Sequence, residues 1–116
     1  MDSFEKIRQL LREFVEERNW DKFQTPKNLS MALTAEAGEL LEVFMWLNEK
    51  QVELLETKYP HLYQNAREEI SDVLIYLIRI ADVLNIDLLQ AVQEKIQKNK
   101  NKYPVDKARE LAKSLD

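Results

Sequence analysis

Residues 35–46 read AEAGELLEVFMW and place acidic side chains where a helix needs apolar ones. An apolar stripe at helical spacing runs through this stretch and its flanks, formed by Leu29, Leu33, Ala37, Leu40, Phe44 and Leu47. Because a helix turns about 100° per residue, Glu36 falls inside the stripe and Glu39 lies on its border. An ionised carboxylate in an apolar face destabilises the fold unless a cation or a donor compensates for it. The stretch therefore predicts a core-facing helix that carries a site for positive charge.

A second pair of acids has the same spacing. Residues 67–77 read REEISDVLIYL, in which Glu69 lies within a wide apolar arc and Asp72 at the edge of that arc. Two helices packed face to face would bring both pairs together as four converging oxygen donors, which Mg2+ prefers. The chain has no cysteine, and its one histidine, His61, lies about two turns from the nearest acid, so Mg2+ or Mn2+ is favoured over Zn2+ and over a di-iron centre. The predicted metal ligands are Glu36, Glu39, Glu69 and Asp72.

The same acids have a non-enzymatic interpretation. In a helical interaction module they would form salt bridges with lysine or arginine across a subunit interface, and the residues alone leave this alternative open. A third interpretation, nucleic-acid binding, rests on residues 94–113, which carry seven Lys or Arg against three acids. The net charge of -4 and the short length of this basic segment disfavour a nucleic-acid partner.

Composition indicates one small helical domain. The 116 residues include a single glycine, three prolines and no cysteine, and Leu, Glu, Lys, Gln and Ala are frequent. We expect an all-α fold in which residues 1–116 form a single domain. With no secretory leader at the start and no apolar run of membrane-spanning length, we expect a cytoplasmic protein without a membrane partner.

Capping residues and prolines predict where the helices begin and end. Asp2 or Ser3 starts the first helix, Pro26 precedes the second, and Asp87 caps the fourth. The segment 51–57 is helix-like but short and polar. The predicted helices extend from Asp2 or Ser3 to about Asn19, Pro26 to about Asn48, His61 to Leu84, Leu88 to about Lys102, and Asp106 to Ser114.

With these motifs in place, the chain resembles the MazG-like all-α nucleoside triphosphate pyrophosphohydrolases, and most of all their dCTP pyrophosphatase branch. The resemblance covers nearly the whole chain and rests on ERNWDKFQTPKNL (17–29), AEAGELLEVFMW (35–46), REEISDVLIYL (67–77) and KIQKNKNKYP (95–104). It implies a bundle of four to five helices that assembles into a dimer or tetramer, with the tetramer as a dimer of dimers. It also implies Mg2+ bound by Glu36, Glu39, Glu69 and Asp72, and hydrolysis of a (deoxy)nucleoside triphosphate to monophosphate and pyrophosphate.

The resemblance assigns further residues to catalysis and substrate binding. Glu39 is expected to accept the proton of the attacking water, with Glu36 as the other catalytic acid. Trp20 and Trp46 are candidates for stacking on the base, and Gln24 and Asn28 for hydrogen bonds to its edge. Lys95, Asn99 and Tyr103 recur every four residues along one helix face and are candidate phosphate ligands.

Two positions depart from the family pattern. Ala35 stands where many members have the first glutamate of a doublet, which leaves the four principal ligands in place. Leu11 stands where some dCTP-specific relatives have a histidine, so the preference for cytosine does not follow from that position.

Overall fold

The structure is a computed structural model that describes residues 2–115. These residues are helical or lie in short turns, and no strand occurs among them. Five longer helices and two short ones agree with the predicted all-α bundle. The helices are α1 (Ser3–Glu17), α2 (Pro26–Phe44), α3 (Glu49–Glu53), α4 (Leu55–Lys58), α5 (Pro60–Val83), α6 (Leu88–Lys102) and α7 (Val105–Leu115), with a 3-10 turn at Asp21–Phe23.

The chain forms two compact units, one that ends at Asn85 and one that begins at Ile86. In the first unit α5 is the central helix, and α1, α2 and α4 pack against it. Ile78 of α5 is 1% exposed and forms the centre of a small core. The other buried apolar residues are Val15, Leu29, Leu55, Ala66 and Ala81. The second unit consists of α6 and α7, joined through Tyr103 and Pro104.

Local capping explains most helix starts. The side chains of Asp2, Thr25 and Asp87 each accept a hydrogen bond from the backbone N–H three residues later, at 2.9, 3.1 and 3.1 Å. These bonds satisfy donors that the first helical turn leaves without a partner. The predicted starts of α1, α2 and α6 are therefore confirmed.

Two predicted helix ends were wrong by a few residues. Helix α1 stops at Glu17 because Asn19 adopts a left-handed conformation (φ 55°), with backbone bonds from Asn19 to Glu16 and from Trp20 to Val15 that end the helix. Helix α2 stops at Phe44 rather than Asn48, since Asn48 instead caps α3. The helix-like segment 51–57 falls within α3 and α4.

Part of the apolar arc predicted on α5 is not covered within one chain. Ile70, Leu74 and Leu77 are 54%, 38% and 42% exposed. On α2, Met31 and Leu41 are likewise about 60% exposed. Such a surface fits the expected subunit contacts, which stay a prediction. Among residues 2–115, no helix is both long and apolar enough to cross a membrane.

A charge cluster around Asp82 ties α1 to α5. The side chain of Asp82 is 5% exposed and accepts hydrogen bonds from Arg79 Nη1 at 2.7 Å, Arg8 Nη1 at 2.9 Å and Arg12 Nε at 3.2 Å. Arg8 also pairs with Glu5. Burial by itself raises the pKa of Asp82, but the hydrogen bonds from Arg12 and Arg8 outweigh it and lower that pKa below its ordinary value of 3.8.

Replacing Asp82 by Asn should lower the free energy of unfolding by about 3–5 kcal/mol at pH 7, because Arg79 is left buried without a counter-charge. The contribution of Asp82 should be complete above pH 3.8 and decline as the pH falls from there through the lowered folded-state pKa. Urea unfolding between pH 7 and pH 3 measures both effects. Glu13→Gln, on the exposed side of α1, is the control. Equal stability of Asp82→Asn and the unmodified protein would contradict a structural role for the cluster.

Candidate active site

Three carboxylates from two helices meet where α2 packs along α5. Glu36 comes from α2, and Glu69 and Asp72 come from successive turns of α5. One oxygen from each lies within 4.8 Å of the others, and all three residues are half-buried. The packing of α2 on α5 thus brings together both members of the predicted α5 pair and the inner member of the α2 pair.

The two innermost acids have oxygens without a donor. Oε2 of Glu36 and Oε2 of Glu69 are buried and make no hydrogen bond. The pKa of Glu36 is raised first by the neighbouring carboxyl of Glu69, because a hydrogen bond between two carboxyl groups requires one of them to be protonated. Burial raises this pKa further. Among residues 2–115, no ion pair includes Glu36, Glu69 or Asp72, which argues against a salt bridge within the chain. Clustered carboxylate oxygens with unused lone pairs fit a hard divalent cation such as Mg2+ or Mn2+.

Glu39 differs from these three. It is exposed and lies outside the group whose oxygens converge. Its pKa is nevertheless raised, first by hydrogen bonding with Glu36 and then by the charge of Glu36. Glu39 therefore lies next to the cluster on the side that water can reach.

An open depression of about 320 Å³ reaches the cluster from the side of Asp72. It is lined by residues of α5, namely Gln64, Arg67, Glu68, Ser71 and Asp72. Arg67 is the cationic residue in this lining and was not predicted from the sequence. The depression exposes one carboxylate of the cluster to solvent.

Trp20 is positioned by the end of α1. Its backbone N–H donates to Val15 O at 3.0 Å, and its ring meets Phe14 edge to face with centroids 5.8 Å apart. The Arg18 guanidinium covers Phe14, 3.8 Å from the ring centroid. Trp20 stays 47% exposed, so one aromatic contact anchors it while much of the indole is free.

Trp46 follows the end of α2 and is 83% exposed. A large aromatic side chain this open to water has little packing within the first unit. Its exposure fits a ligand or a subunit contact, and its predicted stacking role stays a prediction.

Two predicted base-binding amides, Gln24 in the loop before α2 and Asn28 in the first turn of α2, each make a hydrogen bond within the protein. Arg79 Nε donates to Gln24 Oε1 at 2.9 Å, and Asn28 Nδ2 donates to the backbone oxygen of Phe23 at 3.1 Å. These bonds connect Gln24 of the loop to α5 and Phe23 of the loop to α2. Sequence reasoning missed Arg79, although an arginine inside the apolar run LIYLIRIADVL was a visible signal.

The predicted phosphate ligands lie in the second unit. Lys95, Asn99 and Tyr103 are exposed, the first two on α6 and Tyr103 as the residue that ends it. The backbone N–H of Tyr103 donates to Asn99 O at 2.9 Å, and Lys102 Nζ lies 5.4 Å from the Tyr103 ring centroid. Their role stays a prediction.

Comparison with known proteins finds pyrophosphatases among the relatives of this chain. Curated relatives include dCTP pyrophosphatase 1 of Mus musculus, 43% identical over 108 residues, and its counterpart in Homo sapiens, 40% identical over 107 residues. Each alignment covers 92% of this chain, and the chain spans 62% of the length of these relatives. A solved pyrophosphatase from Archaeoglobus fulgidus DSM 4304 is 40% identical and superposes with a TM-score of 0.79, covering 90% of this chain and 94% of that one.

The family comparison spans both units of the fold. The model of the MazG-like family matches residues 31–116, which include the whole carboxylate cluster and the basic helix α6. Together with the two helices that carry the acids, this match identifies the chain as a member of the MazG-like family.

Proposed function

We propose that this chain hydrolyses a (deoxy)nucleoside triphosphate between its α and β phosphates, releasing nucleoside monophosphate and pyrophosphate. The observation that carries the proposal is the pair of buried oxygens, Oε2 of Glu36 and Oε2 of Glu69, that no donor in the protein satisfies. The relatives named dCTP pyrophosphatase and the solved pyrophosphatase support the same bond and a dCTP-like or modified substrate.

Glu36, Glu69 and Asp72 would hold the divalent cation, with Glu39 completing the set. Mg2+ or Mn2+, when bound, neutralises charge on phosphate oxygens and lowers the pKa of water. Glu39 is exposed beside the cluster and has a raised pKa, so its carboxylate is suited to accept a proton from the attacking water. Glu36 contributes charge and position from inside the apolar face.

The remaining residues would bind the nucleotide. Trp20 offers a partly exposed indole for base stacking, and Trp46 a second one. Gln24 and Asn28 would contact the edge of the base. Lys95, Asn99 and Tyr103 would contact the phosphates, because a lysine, an amide and a phenol can all donate to phosphate oxygens.

We also propose that residues 1–116 act as one domain in a homo-oligomer, either a dimer or a tetramer built from two dimers, in the cytoplasm. The family match across both units supports the single domain. The exposed apolar residues of α2 and α5 support the assembly.

Replacing Glu36 or Glu69 by Gln should lower turnover on the order of 100-fold or more, because the amide keeps the size of the side chain but removes the charge that holds the cation. Pyrophosphate and monophosphate, separated after incubation with a nucleotide panel and Mg2+, are the readout. Glu42→Gln, on the exposed side of α2, is the matched control. Diphosphate and orthophosphate as products would refute the proposed bond, and full activity of both variants would refute the metal site.

Thermal melts with and without Mg2+ should test the metal site independently of activity. At 100 times its Kd, Mg2+ should stabilise the protein by about 3 kcal/mol, since it binds the folded state alone. Glu36→Gln should melt higher than the unmodified protein without metal, because it removes one of the clustered negative charges, and should respond less to Mg2+. A melting temperature indifferent to Mg2+ would instead favour the interaction module.

Replacing Trp20 by Ala should raise KM for the best nucleotide about tenfold with little change in kcat, because stacking on one base contributes about 1–3 kcal/mol. Trp20→Phe should retain most of the affinity. Phe23→Ala, which removes a neighbouring exposed ring, is the control. Steady-state kinetics measure each effect, and an unchanged KM for Trp20→Ala would remove this residue from the base site.

A further inference from the structure

Gln24 has a hydrogen-bond partner that fixes which way its amide points. An amide can usually be turned over, exchanging its donor and acceptor ends. Arg79 Nε–H can only donate, and it lies 2.9 Å from Gln24 Oε1. The oxygen of Gln24 must therefore face Arg79, and its NH2 group is left to other partners. Among residues 2–115, no hydrogen bond engages that NH2 group and it is not a buried unpaired atom.

Arg79 is itself held in place. It is 6% exposed and donates from Nη1 to Asp82 at 2.7 Å. Asp82 in turn accepts from Arg8 and Arg12 of α1. A guanidinium buried in such a cluster keeps its orientation, so it presents the same Nε–H to Gln24.

Asn28 is oriented by a partner of the opposite kind. The backbone oxygen of Phe23 can only accept, and it receives Asn28 Nδ2 at 3.1 Å. The Asn28 Oδ1 atom points away from that bond. The loop thus offers a donor at position 24 and the first turn of α2 an acceptor at position 28, each set by a group that cannot reverse its role.

The position of Arg79 along α5 sets how far Gln24 lies from the carboxylate cluster. It lies seven residues after Asp72 on α5, which is close to two full turns, on the same helix face and about 10 Å along the axis. That separation is comparable to the span between the base and the phosphates of one nucleotide. Gln24, which is bonded to Arg79, therefore lies within about one nucleotide length of the carboxylate cluster along α5.

We propose that Arg79 is a positioning residue that makes Gln24 a hydrogen-bond donor to ring position 3 of a pyrimidine base, where cytosine presents the unprotonated N3 as an acceptor. The inference rests on the proposed function and deepens it by assigning how the base is selected. Uracil carries N3–H at the same ring position and would meet the NH2 group of Gln24 donor to donor. A cytosine nucleotide is therefore preferred over its uracil analogue.

Gln24→Glu tests this directly. The carboxylate keeps the size of the side chain and still accepts from Arg79, but it presents an acceptor where Gln24 presents a donor. The preference for dCMP over dUMP should fall at least about tenfold, because one favourable hydrogen bond is exchanged for an unfavourable contact. Gln9→Glu, an exposed residue of α1, adds the same charge elsewhere and should leave the preference unchanged.

Arg79 is tested by two variants. Arg79→Met frees the amide to turn over and should reduce the preference toward equal binding, whereas Arg79→Lys still donates only and should retain it. Binding of dCMP and dUMP is measured by quenching of tryptophan fluorescence, with a thermal melt for each variant. These monophosphates are not turned over, so the ratio of their Kd values does not depend on catalysis. If Arg79→Met does not fold, Gln24→Glu alone decides.

The outcomes separate this inference from the proposed function. A shift of the dCMP to dUMP ratio in Gln24→Glu supports the inference even if no triphosphate is hydrolysed, which would overturn only the proposed function. An active protein whose ratio is unchanged in Gln24→Glu overturns the inference alone. Failure of both monophosphates to bind the unmodified protein also overturns it, and so does a preference for dUMP.

Discussion

The fold depends on how α5 accommodates charge within an apolar face. Burying an ionised side chain without a partner lowers the stability of the folded protein by several kcal/mol. Helix α5 carries partly or fully buried ionisable groups at two places. At Arg79 and Asp82 the chain supplies the partners itself, through α1 and the loop before α2. At Glu69 it supplies none, and Glu36 of α2 adds a second unpaired acid. The first place is paired within the chain, whereas the second leaves two buried carboxylate oxygens without a partner, which a bound cation would supply under the proposed function.

The two places also affect each other through stability. Repulsion among clustered carboxylates opposes the packing of α2 on α5, as the raised pKa values of Glu36 and Glu39 indicate. The burial of apolar side chains such as Leu29 of α2 and Ile78 of α5 offsets this repulsion. The Asp82 cluster adds a cross-link between α1 and α5 and has the opposite dependence on pH, because its carboxylate has a lowered pKa. An acidic cluster can persist in so small a protein because stability is supplied elsewhere along the same helix.

The parts of this site that depend on local sequence could be predicted from it. Helical periodicity alone placed Glu36 and Glu69 inside apolar stripes, and capping residues located three helix starts, because both effects act within a few residues. The Asp82 cluster could not be found this way, since Arg8 and Asp82 are 74 positions apart and only tertiary packing joins them. The width of the apolar face of α5 indicated that one chain would not cover all of it, but periodicity did not show which residues, here Ile70 and Leu74, would stay exposed. The end of α1 at Glu17 depends on the left-handed conformation of Asn19. The end of α2 at Phe44 depends on Asn48, which caps α3 instead of continuing α2.

Under the proposed function, base selection would have to come from groups other than position 11. Leu11 is a half-buried apolar residue of α1 and has no side-chain donor or acceptor, so it cannot distinguish one base edge from another by hydrogen bonding. The loop before α2 and the first turn of that helix each provide one amide, Gln24 and Asn28, whose orientation is fixed by Arg79 and by the Phe23 backbone oxygen. A fixed amide discriminates better than a free one, because it cannot turn over to suit a ligand of the opposite polarity. The orientation of Gln24 in turn relies on a guanidinium kept in place by Asp82, so the cluster that links α1 to α5 also determines what the loop can recognise.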